Sequence, residues 1–141
     1  MFKDDDRYNE LAFYTLSHPD PDFIHQHAVD AYTAQNADES TKSIAVVFAL
    51  IGLYLQVEKG YTGRQVQRAH MQLANRSKNW PTLPLPSTRG EIGIEDVLGA
   101  GPGPDRDAMI DRWCSSVWQS WHESRPVVMA IAREHLGIDR T

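Results

Sequence analysis

The sequence predicts an all-α fold: a single-domain bundle of four or five helices, with a long Pro/Gly-rich loop before a long last helix bent at a proline. Three observations carry this prediction. Helix start and stop signals recur through the first half of the chain, as at Asp20-Pro21, Gly60 and Thr62-x-x-Gln65. The segment from Ile44 to Leu55 is almost uniformly apolar, as suits a helix with neighbours on several sides. Beyond the loop, Ile110, Cys114, Val117, Trp121, Val128 and Ala132 fall within one stripe at about 100° per residue.

Taken in order, acidic Asp4 to Asp6 start a first helix over about 5–17, with Leu11, Ala12, Tyr14 and Leu16 as its apolar positions. Asp20 reads as an N-cap with Pro21 at the first helical position, opening a second helix over 21–36. The third helix, 41–59, ends at Gly60, and the Thr62/Gln65 capping box starts a fourth over 62–77. So short a connection makes helices three and four antiparallel neighbours. From 79 to 103, repeated prolines and glycines exclude any long element. This segment should drape over the bundle as an ordered loop, with Trp80, Leu83, Leu85, Ile92 and Ile94 packed inward and one short helix at 94–99. The last helix runs over 105–136, kinked at Pro126, whose ring lies opposite the apolar stripe. Two helices broken at Ser124 or Arg125 are the alternative.

Composition bounds the function. The chain of 141 residues, 41% hydrophobic, suits one domain, 1–141, with one substantial core. A net charge of −5 with scattered Lys and Arg offers no basic stripe for nucleic acid and no polybasic membrane patch. The run Ile44 to Leu55 is far shorter than the roughly 20 residues needed to span a bilayer. The N-terminal MFKDDDRYNE is acidic where a signal peptide would be basic. A lone Cys114 excludes an intramolecular disulfide and fits a reducing cytoplasm.

The histidines are the candidates for chemistry. His25 and His27 are two positions apart, which on a helix means roughly 200°, so His25 is expected at the core edge and His27 toward solvent. His70 borders the inward face of the fourth helix, and His122 lies beside Trp118 and Trp121. His25, His70 and His122 can therefore converge from three helices, and three histidines plus water form the first shell of many catalytic metal sites. Hydrogen-bonded boundary positions explain the same three residues. His18 is expected exposed in its loop, and His135 suits a helix C-terminus. Asp30 is placed on the polar side of the second helix, within reach of His27. Cys114, in mid-stripe, reads as a buried and unreactive thiol. Trp113, Trp118 and Trp121 read as a core seam or as a pocket lining.

Four segments, HQHAVDAYTAQ at 25–35, IGLYLQVEKG at 51–60, GIEDVLGA at 93–100 and WCSSVWQSWH at 113–122, together resemble a bacterial family known as domain of unknown function 5946. Its pattern runs H-x-x-x-V-D-A-Y-x-x-Q-H, then D-V, then W-x-x-x-V-W-x-x-W. By that resemblance His25, Val29, Asp30, Ala31, Tyr32 and Gln35 match the first motif, and Asp96, Val97, Trp113, Val117, Trp118 and Trp121 the later ones. Asn36 stands where the pattern has its final histidine, and the cysteine-rich N-terminus of many members is absent. The resemblance implies a helical fold and one important face, and implies no activity. Polar residues held on an apolar face need partners, so a buried polar network joining the second and last helices is expected.

Two functions follow. The preferred one is a cytoplasmic binding or interaction module without catalysis, its partner a protein or a small molecule and a homodimer one of its forms. Tyr32, Gln35, Trp113, Trp118 and Trp121 are its candidate ligand-binding residues. The second is a metal-assisted enzyme inside a DinB-like helical bundle, an analogy of fold alone. Zinc, nickel or iron would be held by His25, His70 and His122, with Asp30 or Glu123 as the catalytic base.

Overall fold

The structure, a computed structural model, describes residues 5–17, 20–76 and 79–138. Asp4, His18 and Ser77, which figure in the expectations above, lie outside the described residues. Among those described there are seven α-helices and no strand. No helix among them is long and apolar enough to cross a membrane.

Helix α1 spans Asp6–Ser17. Asp5 caps it, its carboxylate accepting the backbone N–H groups of Arg7 at 3.0 Å and Tyr8 at 3.3 Å. Leu11 is buried as expected, but Leu16 is 58% exposed. The inward place falls to Thr15, whose hydroxyl bonds back to the Leu11 carbonyl and so hides its polarity within the helix.

Helix α2, Ile24–Gln35, starts three residues later than the sequence suggests. Pro21 and Asp22 form a turn instead, and Phe23 adopts left-handed backbone (φ 59°), a conformation costly for a bulky side chain. Asp20 still supplies the cap: its carboxylate accepts the N–H of Asp22 at 3.0 Å and of Ile24 at 2.6 Å.

Helix α3, Ser43–Lys59, packs against α2 and against the fourth, sixth and last helices. Its all-round apolarity is satisfied on every side, with Leu50, Ile51, Leu53 and Leu55 fully buried. Each such side chain contributes about 1.5–3 kcal/mol relative to exposure. The helix ends at Gly60 in left-handed backbone. Helix α4, Gly63–Ala74, then opens with both halves of the Thr62/Gln65 capping box made. It ends short of the expected residue 77, at Ala74. Gly52 faces Val66 and Phe48 meets His70, a falling register that makes α3 and α4 antiparallel.

The loop from 79 drapes over the bundle, burying Leu83 and partly burying Trp80 and Ile92. Leu85, expected inward, is 38% exposed. Helix α5, Ile94–Gly99, matches the expected short helix, and Arg106 ties down its end by donating to the Leu98 and Ala100 carbonyls.

The last helix is not one bent rod. Helix α6, Pro104–Ser120, stops at Trp121; a 3-10 turn, His122–Ser124, follows; α7, Arg125–Leu136, then leads away. Pro126 sits in the first turn of α7, where a missing N–H costs nothing. The stripe keeps its inward phase on both sides of the break, with Ile110, Cys114, Val117, Trp121, Val128 and Ala132 all buried. The two halves face different neighbours: α6 packs on α2, α3 and α5, and α7 on α3 and α4. Glu58 clamps the junction, accepting from the Trp118 indole at 2.8 Å and from the Arg125 guanidinium at 2.6 and 2.7 Å.

Candidate functional site

The second and sixth helices are locked by the residues of the recognised motifs. The Gln35 side chain donates to the Arg89 and Ile92 carbonyls at 3.1 and 2.8 Å and accepts from the Trp113 indole at 2.9 Å. Trp121 donates its indole N–H to the Ala34 carbonyl at 3.3 Å. Arg89 returns to the Gln35 carbonyl at 3.0 Å. Tyr32 donates to the Asp5 carboxylate and its ring packs on Tyr8, with centroids 4.6 Å apart. The expected polar network between these helices is therefore present. Trp113 and Trp121 are fully buried within it, while Tyr32 and Gln35 also border a small surface depression of 310 Å³.

The three histidines have separate surroundings. His25 bonds through Nδ1 to the Thr15 hydroxyl at 2.8 Å. His70 bonds through Nε2 to the Phe48 carbonyl at 2.7 Å and stacks on the Phe48 ring. Burial lowers the pKa of both, although the carbonyl bond opposes this for His70. His122 is exposed in the 3-10 turn, beside the equally exposed Glu123. Among the described residues no three His, Cys, Asp or Glu side chains stand together as a metal-holding group.

His27 and Asp30 correct the sequence reading more sharply, because neither faces solvent. His27 is 7% exposed and Asp30 3%, since α2 is flanked by α1, α3, α4 and α6 and keeps no wide polar face. Nor do the two pair with each other. Asp30 accepts from Gln26 at 3.1 Å through one oxygen, and its other oxygen has no partner among the described residues. That oxygen occupies the space beside Gly52, where a Cβ would come within 1.9 Å of it. Burial pushes the Asp30 carboxyl well above the usual carboxylate range. Burial likewise lowers His27 to about 4, against the opposing pull of Asp20 and Asp22. Cys114 is fully buried, its thiol donating to the His27 carbonyl at 3.5 Å and its pKa raised by burial and then by Asp30 and Asp111.

His27 lines a cleft of 660 Å³ between α2, the α3–α4 turn and α6. Four aspartates, Asp20, Asp22, Asp107 and Asp111, share its wall with Gln56 and Tyr61. Gln56 donates to Asp111 at 3.1 Å, which leaves its own carbonyl oxygen buried and without a partner among the described residues. The His27 Nδ1 is in the same condition. Sequence reasoning missed this cleft because Asp20 and Asp22 precede α2 while Asp107 and Asp111 lie in α6, with no motif spacing between the two pairs. The i, i+4 placing of Asp107 and Asp111 on one helix face was the only local signal.

The family DUF5946, a family of unknown function, matches residues 5–122. The chain belongs to DUF5946. The match takes in α1 through α6 and so includes both the Gln35–Trp113 lock and all four aspartates of the cleft. No curated protein and no solved structure shows significant similarity to the chain.

Proposed function

We propose that this DUF5946 member is a binding module that holds a small molecule in the cleft beside His27. The observation that carries the reading is the cleft itself, 660 Å³ with His27, Gln56, Tyr61 and four aspartates on its wall. The cleft volume falls in the range of small-molecule sites, roughly 300–1,000 Å³. Binding is favoured over turnover because the thiol and the candidate bases read from the sequence do not stand on the cleft wall. Cys114 is sealed in the core, Asp30 faces Gly52, and Glu123 lies in the 3-10 turn. Tyr32, Gln35, Trp113, Trp118 and Trp121, the ligand-binding candidates of the sequence, do not line this cleft and make the bonds between elements described above.

A fragment library screened by protein-detected NMR tests the proposal. Bound fragments are expected to move the ring signals of His27 and the side-chain amide of Gln56. A library that binds elsewhere, or leaves both signals in place, would reject it.

A further inference from the structure

We infer that this protein assembles head to tail with further copies of itself, the exposed stripe of α1 on one molecule lying parallel to that of α4 on the next. Helix α1 buries Leu11 and Thr15 and turns its opposite side outward. Asp6, Glu10, Phe13 and Ser17 all stand exposed there, and at about 100° per residue they share a stripe about 60° wide. Phe13 is 70% exposed and its neighbour Leu16 58%, on a helix that packs chiefly against α2 and α5. Helix α4 carries the same stripe with the opposite charge. Arg64, Arg68, Met71 and the C-terminal cap Asn75 repeat the spacing i, i+4, i+7, i+11. Met71 is 64% exposed, while the other sides of α4 pack on α2, α3 and α7.

This is the spacing of the facing positions in a parallel helix pair, where each residue meets its counterpart at the same level. Laid in register, Asp6 meets Arg64, Glu10 meets Arg68, Phe13 meets Met71 and Ser17 meets Asn75. Two opposite-charge pairs and an apolar contact thus coincide on one seam. Antiparallel alignment about Phe13 and Met71 sets Glu10 beside Ala74 or Asn75 and loses the pairing. Two copies of α1 would bring no cation to the seam in either direction, so charge selects α4 as the partner face. Glu10 and Arg68 have no partner of their own among the described residues. Arg64, half-buried over the Phe23 ring and bonded to Gln67, keeps further N–H groups to donate. Both stripes lie exposed on one molecule, so they meet between molecules. A single helix pair buries less than the roughly 1,200 Å² of a stable interface, which makes the assembly weak, concentration-dependent and sensitive to salt.

The test is sedimentation velocity of the full chain at low salt, up to about 1 mM, the range in which a weak interface fills. The average mass of the parent should rise with concentration and fall again when salt is added. Glu10→Arg and Arg68→Glu should each weaken self-association at least about tenfold, since each sets like charges face to face. Each variant keeps one intact face, so mixing the two should give a 1:1 heterodimer and nothing larger. Both reversals in one chain should restore growth of the mass with concentration. Denaturation midpoints show that each variant is folded. Phe13→Ser and Met71→Ser, which leave the charges in place, provide a second pair that should behave in the same way alone and mixed. A parent that stays monomeric at the highest concentration would overturn the proposal and leave α1 to a different partner. Loss of assembly in Glu10→Arg with none in Arg68→Glu would overturn it in favour of α1 meeting another face. Folded single variants that fail to pair when mixed would overturn it too.

Discussion

The Gln35 side-chain carbonyl accepts a 2.9 Å hydrogen bond from the indole of Trp113, a residue with no exposed surface. Because the same amide donates to two loop carbonyls, one side chain joins α2, the draped loop and α6. Gln35→Leu should therefore lower stability by about 1–3 kcal/mol, the cost of the indole N–H left unpaired. Adding Trp113→Phe removes that orphaned donor, so the double variant should cost less than the two single changes summed. Urea denaturation of the four proteins measures this, and strict additivity would contradict the account.

Gly52 predicts a steric coupling. A methyl group there meets the buried Asp30 carboxylate at 1.9 Å and Val66 at 3.1 Å, so Gly52→Ala should be destabilising by more than about 1–3 kcal/mol, the usual cost of overpacking. Truncating the obstacle with Asp30→Ala should recover part of the loss. A Gly52→Ala protein as stable as the parent would show that Asp30 does not lie against α3.

Glu58 joins three elements through Trp118 and Arg125, and the Arg125 bonds, followed by the Trp118 bond, hold its carboxyl below its ordinary pKa. Glu58→Ala should loosen the α6–α7 junction first. Hydrogen exchange should rise locally around Trp121 to Arg125, ahead of any change in α2. Uniform protection across the variant would argue against the clamp.

Stability should depend on pH through two groups of opposite sign. His27 has its pKa lowered from 6.5 to about 4, so the unfolded chain takes up a proton that the folded one refuses. Its contribution, about 3 kcal/mol on a scale of 1.36 kcal/mol per unit, is present above pH 6.5 and lost as the pH falls toward 4. Asp30 is raised instead, so its contribution is present below pH 3.8 and lost as the pH rises through its folded value. The two slopes oppose each other between pH 4 and 6.5. Asp30→Asn should unmask the His27 slope and make stability climb more steeply with pH than in the parent; an unchanged slope would contradict the burial of Asp30.

Much of the fold was legible because its signals are local. The Thr62/Gln65 box, the Gly60 stop and the apolar run of α3 each describe one helix and need no knowledge of its neighbours. What the sequence hid is relational. Spacing alone sets His27 and Asp30 toward solvent because an amphipathic helix is expected to keep one wet face, whereas α2 has neighbours on four sides. The stripe from Ile110 to Ala132 suggests one helix because phase survives a break that preserves rotation, while direction does not. The cleft was invisible for the same reason, since its aspartates come from separate elements brought together only by packing.

The most direct test of the division between a structural lock and a binding cleft is one ¹H–¹⁵N correlation spectrum recorded with and without a fragment that binds in the screen. The account predicts that the Gln56 side-chain amide shifts while the indole N–H signals of Trp113 and Trp121 stay in place. Movement of the two indole signals with Gln56 unmoved would show that the motif face, rather than the acidic cleft, is the site.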